Sequence, residues 1–268
     1  MKMAEFLGNI IAHLSRVEFQ KFWVRCYKAS LIGMNLGGGD GVESSGERYI
    51  IEYINKNFFS GNKAAIIFDV GANIGEYTGE LLTHIRNAEI HSFEPARSTY
   101  EILCKNIVAE NVILNNFGIS DKCSEGILYY EKENSGIASL YQRQLDYIGI
   151  DFSKSEAIIL DTIDHYCKEK NITYIDFLKI DIEGNELKAL YGAHKMLEKN
   201  LIGIIQIEFG GCNIDSRTYF RDFWNLLHEK FRAYRIIRNG LYEIKKYEEI
   251  LEIFTCTNYL FINKFIGH

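Results

Sequence analysis

Proline, closely spaced cysteines and long apolar runs are all scarce in this chain of 268 residues. The only proline is Pro95, and the six cysteines form neither a C-x-x-C pair nor a cysteine–histidine cluster with zinc spacing. Scattered cysteines in a chain of this length favour a reducing compartment over a disulfide scaffold. No apolar run reaches the ~18 residues that span a bilayer, and the first residues lack the pattern of a signal peptide. We therefore expect a soluble, cytoplasmic protein with no transmembrane segment.

A surplus of basic side chains is also missing, since 30 lysines and arginines stand against 36 aspartates and glutamates. A formal net charge of −6 gives the chain no overall attraction to phosphate backbones, which argues against a nucleic-acid partner. Hydrophobic residues make up 47% of the chain and charged residues 25%, which provides enough apolar surface for an ordered core. The length fits one large α/β domain with a modest extension.

Residues 1–60 are expected to form a helical N-terminal extension. Apolar residues recur at helical spacing over 4–32, glycines over 37–41 predict a flexible hinge, and a short helix over about 46–58 leads into the main domain. We expect the first helix to pack on the main domain or on a second subunit, which would make the protein a homo-oligomer. The alternative is a helix that lies on a membrane surface and carries basic residues on its polar side, namely Lys21, Arg25 and Lys28.

From residue 64 onward, strands and helices alternate. Continuous apolar runs predict buried parallel strands, and the segments between them have helical periodicity. The predicted strands are 64–70, 88–94, 111–117, 175–181, 201–209 and 258–265, and the predicted helices are about 75–86, 162–170, 186–199 and 217–231. A capping box at Ser98–Glu101 predicts one further helix, Asp161 is expected to cap the helix at 162–170, and Asn239-Gly240 predicts a hairpin. This order predicts an α/β domain over residues 61–268, with an open, mostly parallel Rossmann-like sheet and helices on both faces.

The segment FDVGANIGEYTG (68–79) joins the first buried strand to a helix. Its glycines permit a sharp turn and a close approach of a ligand to the backbone, and the helix N-terminus offers free N–H groups. The dinucleotide fingerprint would require glycine at the positions of Asn73 and Glu76, and the P-loop pattern is absent. The spacing D-x-G-x-N-x-G instead resembles the first motif of S-adenosylmethionine enzymes. The alternative is a tight turn that needs glycine only for packing.

Two acidic residues follow the next strands. Glu94 ends the second strand within F-E-P, where a carboxylate can accept hydrogen bonds from ribose hydroxyls. Pro95 favours extended backbone at Glu94 and so helps to hold it at the strand tip, although a solvated turn glutamate is the alternative. Asp121, just past the third strand, is a candidate acceptor for an adenine amino group, but aspartate is also a common turn residue.

In these stretches the sequence resembles the FkbM-type methyltransferases. The matching stretches are FDVGANIGEYT (68–78), FEP (93–95), GISD (118–121), LDTID (160–164), FLKIDIEGNE (177–186) and IIQIEF (204–209). The resemblance covers about residues 65–210 and implies a seven-stranded Rossmann-like sheet, S-adenosylmethionine as methyl donor, and an oxygen acceptor such as a sugar or polyketide hydroxyl. It also implies that Glu94 holds the ribose, that Asp121 faces the adenine, and that five residues line the methionine end: Asp69, Gly71, Asn73, Gly75 and Thr78.

Acidic residues cluster at the end of the fourth core strand, where the acceptor of a methyl group would lie. In one interpretation Asp181 is a general base for a weakly nucleophilic hydroxyl, assisted by Glu183. In a second, Asp181, Glu183 and Glu208 bind a divalent metal. In a third, the cluster only orders the loop and caps the following helix, with Glu183 accepting backbone N–H groups. His91 lies within a predicted buried strand and is expected to be a core residue rather than a base.

A polar and aromatic loop, from Asn134 to Arg143, is expected to cover the crevice and contact a hydroxylated acceptor. We therefore expect an S-adenosylmethionine-dependent O-methyltransferase that acts on a sugar hydroxyl of a saccharide, glycoconjugate or related natural product. Two alternatives are a nicotinamide-dependent oxidoreductase on a similar sheet and a module that binds the cofactor without catalysis. No resident metal is expected.

Overall fold

The computed structural model describes residues 8, 11–12, 14–37, 45–59 and 64–266. The strands are β1 Ala65–Val70, β2 Ala88–Phe93, β3 Val112–Asn115, β4 Gly118–Ile119, β5 Ser124–Tyr130, β6 Lys154–Asp161, β7 Ile175–Ile180, β8 Ile202–Phe209, β9 Phe231–Ile237, β10 Gly240–Ile244 and β11 Thr257–Asn263. The α-helices are α1 Gln20–Gly33, α2 Glu47–Phe58, α3 Glu76–His84, α4 Arg97–Asn106, α5 Ile163–Glu169, α6 Glu186–Tyr191, α7 His194–Glu198, α8 Cys212–Ser216 and α9 Phe220–Leu227. The predicted glycine hinge lies largely outside the described residues, as does part of the predicted first helix.

The central sheet confirms the expected mixed α/β architecture. Its order is β10-β9-β11-β8-β7-β1-β2-β3, and the five strands from β8 to β3 are parallel. Within the described residues this sheet has eight strands rather than the expected seven. The additional strand is β10, which the Asn239-Gly240 turn folds back antiparallel on β9 at the edge of the sheet.

A second, smaller sheet forms between the third and fourth core strands. In the described chain it contains β4, β6 and β5 in that order. The sequence analysis missed β6 because its exposed and half-buried residues alternate with only two buried ones, so no continuous apolar run marks it. The residues Leu128, Ile158 and Leu160 pack with Ala96 into a small apolar cluster on this sheet. The small sheet therefore forms a wall above the carboxyl end of β2.

The main core lies on both faces of the central sheet. Successive residues of β1 point to opposite faces, so Phe68 and Val70 belong to one apolar cluster while Ala65 and Ile67 belong to the other. Helix α2 completes the second cluster with three fully buried side chains, Ile50, Ile51 and Ile54. The second helix of the N-terminal extension is therefore packed into the core, and the division of the chain at residue 60 stays a prediction.

Helix α1 buries none of its side chains against the described domain, so of the two expected packings the one on a second subunit stays a prediction. The following segment does contact the domain: Leu36 is buried and the Gly37 N–H donates to the Cys256 carbonyl oxygen at 2.9 Å. None of the helices in the described part of the chain combines the length and the apolar character needed to cross a membrane.

Three helix boundaries also differ from those predicted. Helix α4 begins at Arg97 without the Ser98 cap, because the chain enters it through Pro95 and Ala96, whose N–H donates to Glu94. Helix α5 is capped by Thr162, whose side chain accepts the His165 N–H, rather than by Asp161. The predicted helix over 186–199 divides into α6 and α7.

Candidate active site

The loop after β1 lies against the end of β7 so closely that only glycine fits. Gly71 has a φ of +89°, and a Cβ atom on it would lie 1.9 Å from the carbonyl oxygen of Asp181. Gly75 precedes α3 with a φ of +94°, and a Cβ atom there would overlap the side chains of Leu103 and Ile107. The predicted glycines are therefore required by the turn itself, and Gly71 also lines the cavity described below.

Asp69 and Thr78 lie beneath this loop and do not line either cavity described below. Both are fully buried, and the Thr78 hydroxyl lies 2.7 Å from Asp69 Oδ2 and 2.8 Å from Ser92 Oγ. Burial raises the pKa of Asp69, while the ammonium of Lys179 and the Thr78 hydrogen bond oppose that shift. The structure thus brings the two residues together as a buried support for the loop.

The carboxylate of Glu94 fastens the loop to the end of β2. Its Oε2 accepts the Asn73 N–H at 3.1 Å, and its Oε1 accepts the Ala96 N–H at 2.8 Å. Glu94 is 7% exposed, and burial raises its pKa to about 7 despite these two hydrogen bonds. Its position at the strand tip agrees with the sequence-based placement, and it faces a cavity.

A narrow cavity, of about 70 Å³, opens beside Glu94 and continues under the small sheet. Its walls are mostly apolar and include Pro95, Ile119, Leu140, Ile158 and Leu160. Such walls suit a flat, uncharged ring system next to the polar Glu94. Asp121 does not line this cavity: it lies on the exposed loop after β4, where its carboxylate accepts the Ser120 hydroxyl at 3.1 Å.

A larger cavity, of about 540 Å³, adjoins the first. The two share five lining residues, Gly71, Asn73, Gly136, Asp181 and Glu183. The larger cavity continues past the carboxyl ends of β7 and β8, and its lining includes Glu47, Glu208 and Arg143. The structure therefore brings both predicted catalytic residues to the boundary between the two cavities.

Lys179 lines the larger cavity and lies close to two carboxylates, those of Asp181 and Asp69. Its Nζ lies 3.1 Å from Asp181 Oδ2 and 3.8 Å from Asp69 Oδ1, and the side chain is 5% exposed. The ammonium also lies 4.7 Å from the centre of the Tyr77 ring. Sequence reasoning missed this lysine, although a basic residue near the carboxyl end of the mostly apolar strand IDFLKI was a visible signal.

Glu183 has an unusual backbone and a firmly paired side chain. Its φ is +53°, its carbonyl oxygen accepts the Ser139 hydroxyl at 2.6 Å, and its Oε2 accepts a hydrogen bond from Arg143 at 2.7 Å. Burial raises the pKa of Glu183 to about 8, and the negative charge of Asp181 adds to the shift while Arg143 opposes it. The loop carrying Ser139 and Arg143 therefore lies at the cavity, as its predicted covering role requires.

The backbone N–H groups expected to meet Glu183 are bound by a neighbour instead. Glu186 Oε1 accepts the N–H groups of Ile182 and Gly184, both at 3.0 Å, and Glu186 is fully buried. One of the three interpretations of the sequence gave this role to Glu183. The positive φ of Glu183 turns its side chain toward the cavity, which leaves Glu186 to bind the turn.

Glu208, near the end of β8, lines the larger cavity close to Glu183. Its Oε1 accepts the Cys256 thiol, and burial together with the charges of Asp181 and Glu183 raises its pKa well above the ordinary value. The ligand atoms of Glu183, Glu208 and Cys212 lie within 4.8 Å of one another. Asp181 is not in that group, so the metal set suggested by the sequence differs from the one the geometry brings together.

Helix α2 supplies a buried carboxyl group, that of Glu47, which no local sequence pattern predicted. Glu47 Oε1 accepts a hydrogen bond from Gln206 Nε2 at 3.0 Å, and Gln206 Oε1 accepts the Tyr77 hydroxyl at 3.1 Å. Burial raises the pKa of Glu47. Because Glu47 lies some 130 residues before β7 in the sequence, only the packing of α2 on the sheet brings it to the cavity.

The residues around both cavities fit S-adenosylmethionine. Asn73 Oδ1 is buried and has no hydrogen-bond partner among the described residues, so it is available to a ligand at the boundary of the two cavities. Glu94 offers a carboxylate to a ribose, and the apolar walls beside it suit an adenine. The dinucleotide pattern is not met, because Asn73 and Glu76 stand where it requires its second and third glycines.

The family model of the FkbM methyltransferase domain matches residues 69–236, more than half of the chain. The chain belongs to the FkbM methyltransferase family. It is therefore an S-adenosylmethionine-dependent methyltransferase, which removes the nicotinamide alternative. The resemblance identified from the sequence motifs is confirmed.

Solved structures similar to this FkbM-family methyltransferase have low sequence identity to it. The plantazolicin methyltransferase BpumL, in complex with S-adenosylhomocysteine, is 9% identical, with 94% of this chain and 92% of that chain covered and a TM-score of 0.44. A precorrin 8w decarboxylase from Methanobacterium thermoautotrophicum is 13% identical, with 84% and 92% covered and a TM-score of 0.42. A precorrin-6y C5,15-methyltransferase from Geobacter metallireducens is 10% identical, with 81% and 87% covered and a TM-score of 0.41. No curated protein matches the chain.

Proposed function

We propose that this FkbM-family enzyme methylates a hydroxyl group of a sugar, in a saccharide, glycoconjugate or related natural product, and that it does so in the cytoplasm. The observation that carries the proposal is the position of Asp181, which lies where the two cavities meet and is 31% exposed at its side chain. A carboxylate at that boundary can reach a hydroxyl in the larger cavity. Residues 61–268 would form the catalytic domain, and residues 1–60 its extension.

The cofactor would occupy the narrow cavity and the loop after β1. Glu94 would accept the ribose hydroxyls, Gly71 and Asn73 would face the methionine end, and Asp121 would approach the adenine amino group from the exposed loop after β4. Asp69, Gly75 and Thr78 would act from below, by fixing the loop rather than by lining the cavity. S-adenosylmethionine supplies an activated methyl group, so the protein must chiefly align the acceptor and remove a proton.

Asp181 is proposed as the general base. A sugar hydroxyl is a weak nucleophile at neutral pH, and a carboxylate that takes its proton as the new bond forms typically contributes 10²–10⁴-fold, an order-of-magnitude range. Lys179 at 3.1 Å keeps Asp181 paired and oriented toward the boundary. Arg143 holds Glu183 Oε2 at 2.7 Å beside Asp181, and from that position Glu183 would accept a hydrogen bond from a second hydroxyl of the sugar.

The larger cavity suits a polyhydroxylated acceptor. Glu208, Asn258 and Arg143 line it with acceptors and donors of hydrogen bonds, and its volume of about 540 Å³ is ample for a monosaccharide unit. A divalent metal at Glu183, Glu208 and Cys212 is the second candidate for activating the hydroxyl, favoured by their mutual approach within 4.8 Å. Removal of divalent ions by EDTA distinguishes the two, since the general-base proposal expects full activity after chelation.

The decisive experiment compares Asp181→Asn with the native protein. Transfer of a labelled methyl group to a panel of methyl glycosides and oligosaccharides is measured, together with calorimetric binding of S-adenosylhomocysteine. We expect kcat to fall by about 10²-fold or more, with cofactor affinity changed by less than about threefold. Asp151→Asn, at an exposed position, serves as the matched control. Near-full kcat in Asp181→Asn would contradict the general-base role, and transfer to none of the sugars would contradict the acceptor class.

A further inference from the structure

The N-terminal segment before the catalytic core exposes an unusual number of large apolar side chains. In α1 and the described residues just before it, Val17 is 87% exposed, Phe22 54% and Tyr27 58%. The other large apolar side chains exposed in this part of the chain are Ile11, Leu14, Phe19, Val24 and Ile32. None of the side chains of α1 is buried. An apolar surface of this kind marks an interaction site rather than part of the core.

Basic side chains form a stripe along one side of the same helix. Lys21, Arg25 and Lys28 follow the spacing i, i+4, i+7, so they lie on one face, and all three are exposed. The large apolar residues Phe22, Trp23 and Tyr27, among others, occupy the rest of the helix surface. Between residues 14 and 33 the chain carries four basic residues and one acidic residue, Glu18, whereas the whole chain has a formal net charge of −6. The positive charge is therefore local to this segment.

We propose that residues 14–33 dock the enzyme on an anionic lipid surface, with α1 lying in the plane of the interface. Apolar side chains would enter the boundary between headgroups and acyl chains, while the basic stripe remains among the anionic headgroups. A second copy of the chain is a poorer occupant than an anionic surface, because the two segments would carry the same net positive charge, with Glu18 as the only acidic residue in each. This inference concerns a surface outside the proposed catalytic site and does not depend on the identity of the acceptor.

The proposal is tested with the full chain and vesicles of phosphatidylcholine, alone or in an equimolar mixture with phosphatidylglycerol. We expect co-sedimentation with the anionic vesicles only, and we expect it to weaken as salt rises. Replacing the stripe, in Lys21→Gln/Arg25→Gln/Lys28→Gln, is expected to lower the partition coefficient on the order of 100-fold, from roughly 1 kcal/mol for each basic residue. The matched control is Lys105→Gln/Lys154→Gln/Lys199→Gln, which removes three exposed lysines from the body of the protein and is expected to bind as the native chain does.

Tryptophan fluorescence reports whether α1 itself enters the interface. The chain has two tryptophans, so Trp224→Phe leaves Trp23 as the sole reporter. Its emission is expected to shift to shorter wavelength with anionic vesicles and to remain unchanged with neutral ones. Because α1 buries no side chain, the α1 variants are expected to keep the native melting temperature, so a loss of binding would not reflect unfolding.

Two outcomes would overturn the proposal. The first is equal binding to neutral and anionic vesicles, or none to either, by the native chain. The second is a dimer in light scattering that Phe22→Ser/Val24→Ser/Tyr27→Ser converts to a monomer, because a second copy would then occupy the apolar face. Neither outcome bears on methyl transfer, which is measured separately.

Discussion

The carboxyl group of Glu94 binds two backbone N–H groups although its burial favours the neutral form. Burial raises its pKa to about 7, while the N–H groups of Ala96 and Asn73 oppose the shift. Ribose hydroxyls that donate to this group would favour its ionised form. The pKa of Glu94 would therefore be lower in the complex than in the empty protein, and binding would be linked to the release of a proton.

The affinity for S-adenosylhomocysteine is accordingly expected to depend on pH. Below about pH 7 the empty protein holds the proton on Glu94, so affinity should rise with pH and level off above about pH 7. Glu94→Gln should abolish this dependence and lower the affinity by roughly 10- to 100-fold at high pH, because charge-assisted hydrogen bonds are lost. Calorimetry at several pH values checks both effects, with Glu101→Gln on the exposed face of α4 as control. A pH dependence that survives in Glu94→Gln would assign it to another group.

The ammonium of Lys179 compensates two carboxylates in a nearly closed site. It lies 3.1 Å from Asp181 and 3.8 Å from Asp69, which is fully buried. Lys179→Met is expected to lower the free energy of unfolding by about 3–5 kcal/mol, because it leaves buried charge without a partner. Urea unfolding measures the change, and Lys168→Met, at an exposed position, is expected to alter it by less than about 0.5 kcal/mol. Equal stability of Lys179→Met and the native chain would show that Asp69 needs no counter-charge.

At the level of elements, the turn between β1 and α3 fixes the distance between the first and fourth core strands. The carbonyl oxygen of Asp181 occupies the space that a side chain at residue 71 would need. Asp181, the proposed general base, and the loop after β1 are thus held together by backbone contact. If the loop binds the methyl donor as proposed, a displacement of the loop would move the donor away from Asp181.

Two glycines in the same segment are expected to respond in opposite ways to alanine. Gly71→Ala should destabilise the protein by more than about 3 kcal/mol, because of the positive φ and the overlap with Asp181. Gly79→Ala, inside α3, should stabilise it by about 0.5–1 kcal/mol, since the nearest atom to a new Cβ is 3.9 Å away. Thermal and urea unfolding measure the stability of both variants. A Gly71→Ala protein of native stability would mean that the strand ends separate easily.

At the scale of the whole molecule, helices α1 and α2 differ in how far their side chains are buried. Three isoleucines of α2 are fully buried in the core and Glu47 reaches the larger cavity, whereas α1 buries no side chain. Of these two helices, α2 therefore belongs to the folded core, whereas α1 leaves its side chains exposed.

Two truncations are expected to separate these segments. Deletion of residues 1–33 should leave the melting temperature and S-adenosylhomocysteine affinity unchanged. Deletion of residues 1–58 removes Ile50, Ile51 and Ile54, each worth about 2–5 kcal/mol, which together approach the typical stability of a whole domain. We expect that protein to lose cooperative unfolding in calorimetry. Ile54→Ala keeps the helix and is expected to lower the free energy of unfolding by about 2–5 kcal/mol. That result would show that burial of α2 side chains stabilises the domain. Cooperative unfolding after the longer deletion would support a domain boundary at residue 60.

The sequence alone determined the parallel core strands, the cofactor loop and the family. The strands are visible as apolar runs such as 64–70 and 175–181, because a strand buried on both faces needs apolar residues throughout. The loop is visible as the motif around Gly71, because a sharp turn needs glycine at a fixed position. The buried His91 was also predictable, and it is bonded to Tyr166 and Glu89. Strand β6 was missed because its exposed and partly buried residues alternate without an apolar run. The cap of α5 was misassigned because Asp161 and Thr162 are adjacent and both are residues that cap helices.

Only the tertiary structure decided which polar groups meet at the cavity. Glu47 comes from a helix distant in the sequence, and its carboxyl group is brought to Lys179 and Gln206 by the packing of α2 on the sheet. The exchange of roles between Glu183 and Glu186 likewise follows from one backbone angle rather than from residue type. Such contacts depend on long-range packing and on single dihedral angles, and neither leaves a periodic signal in the sequence.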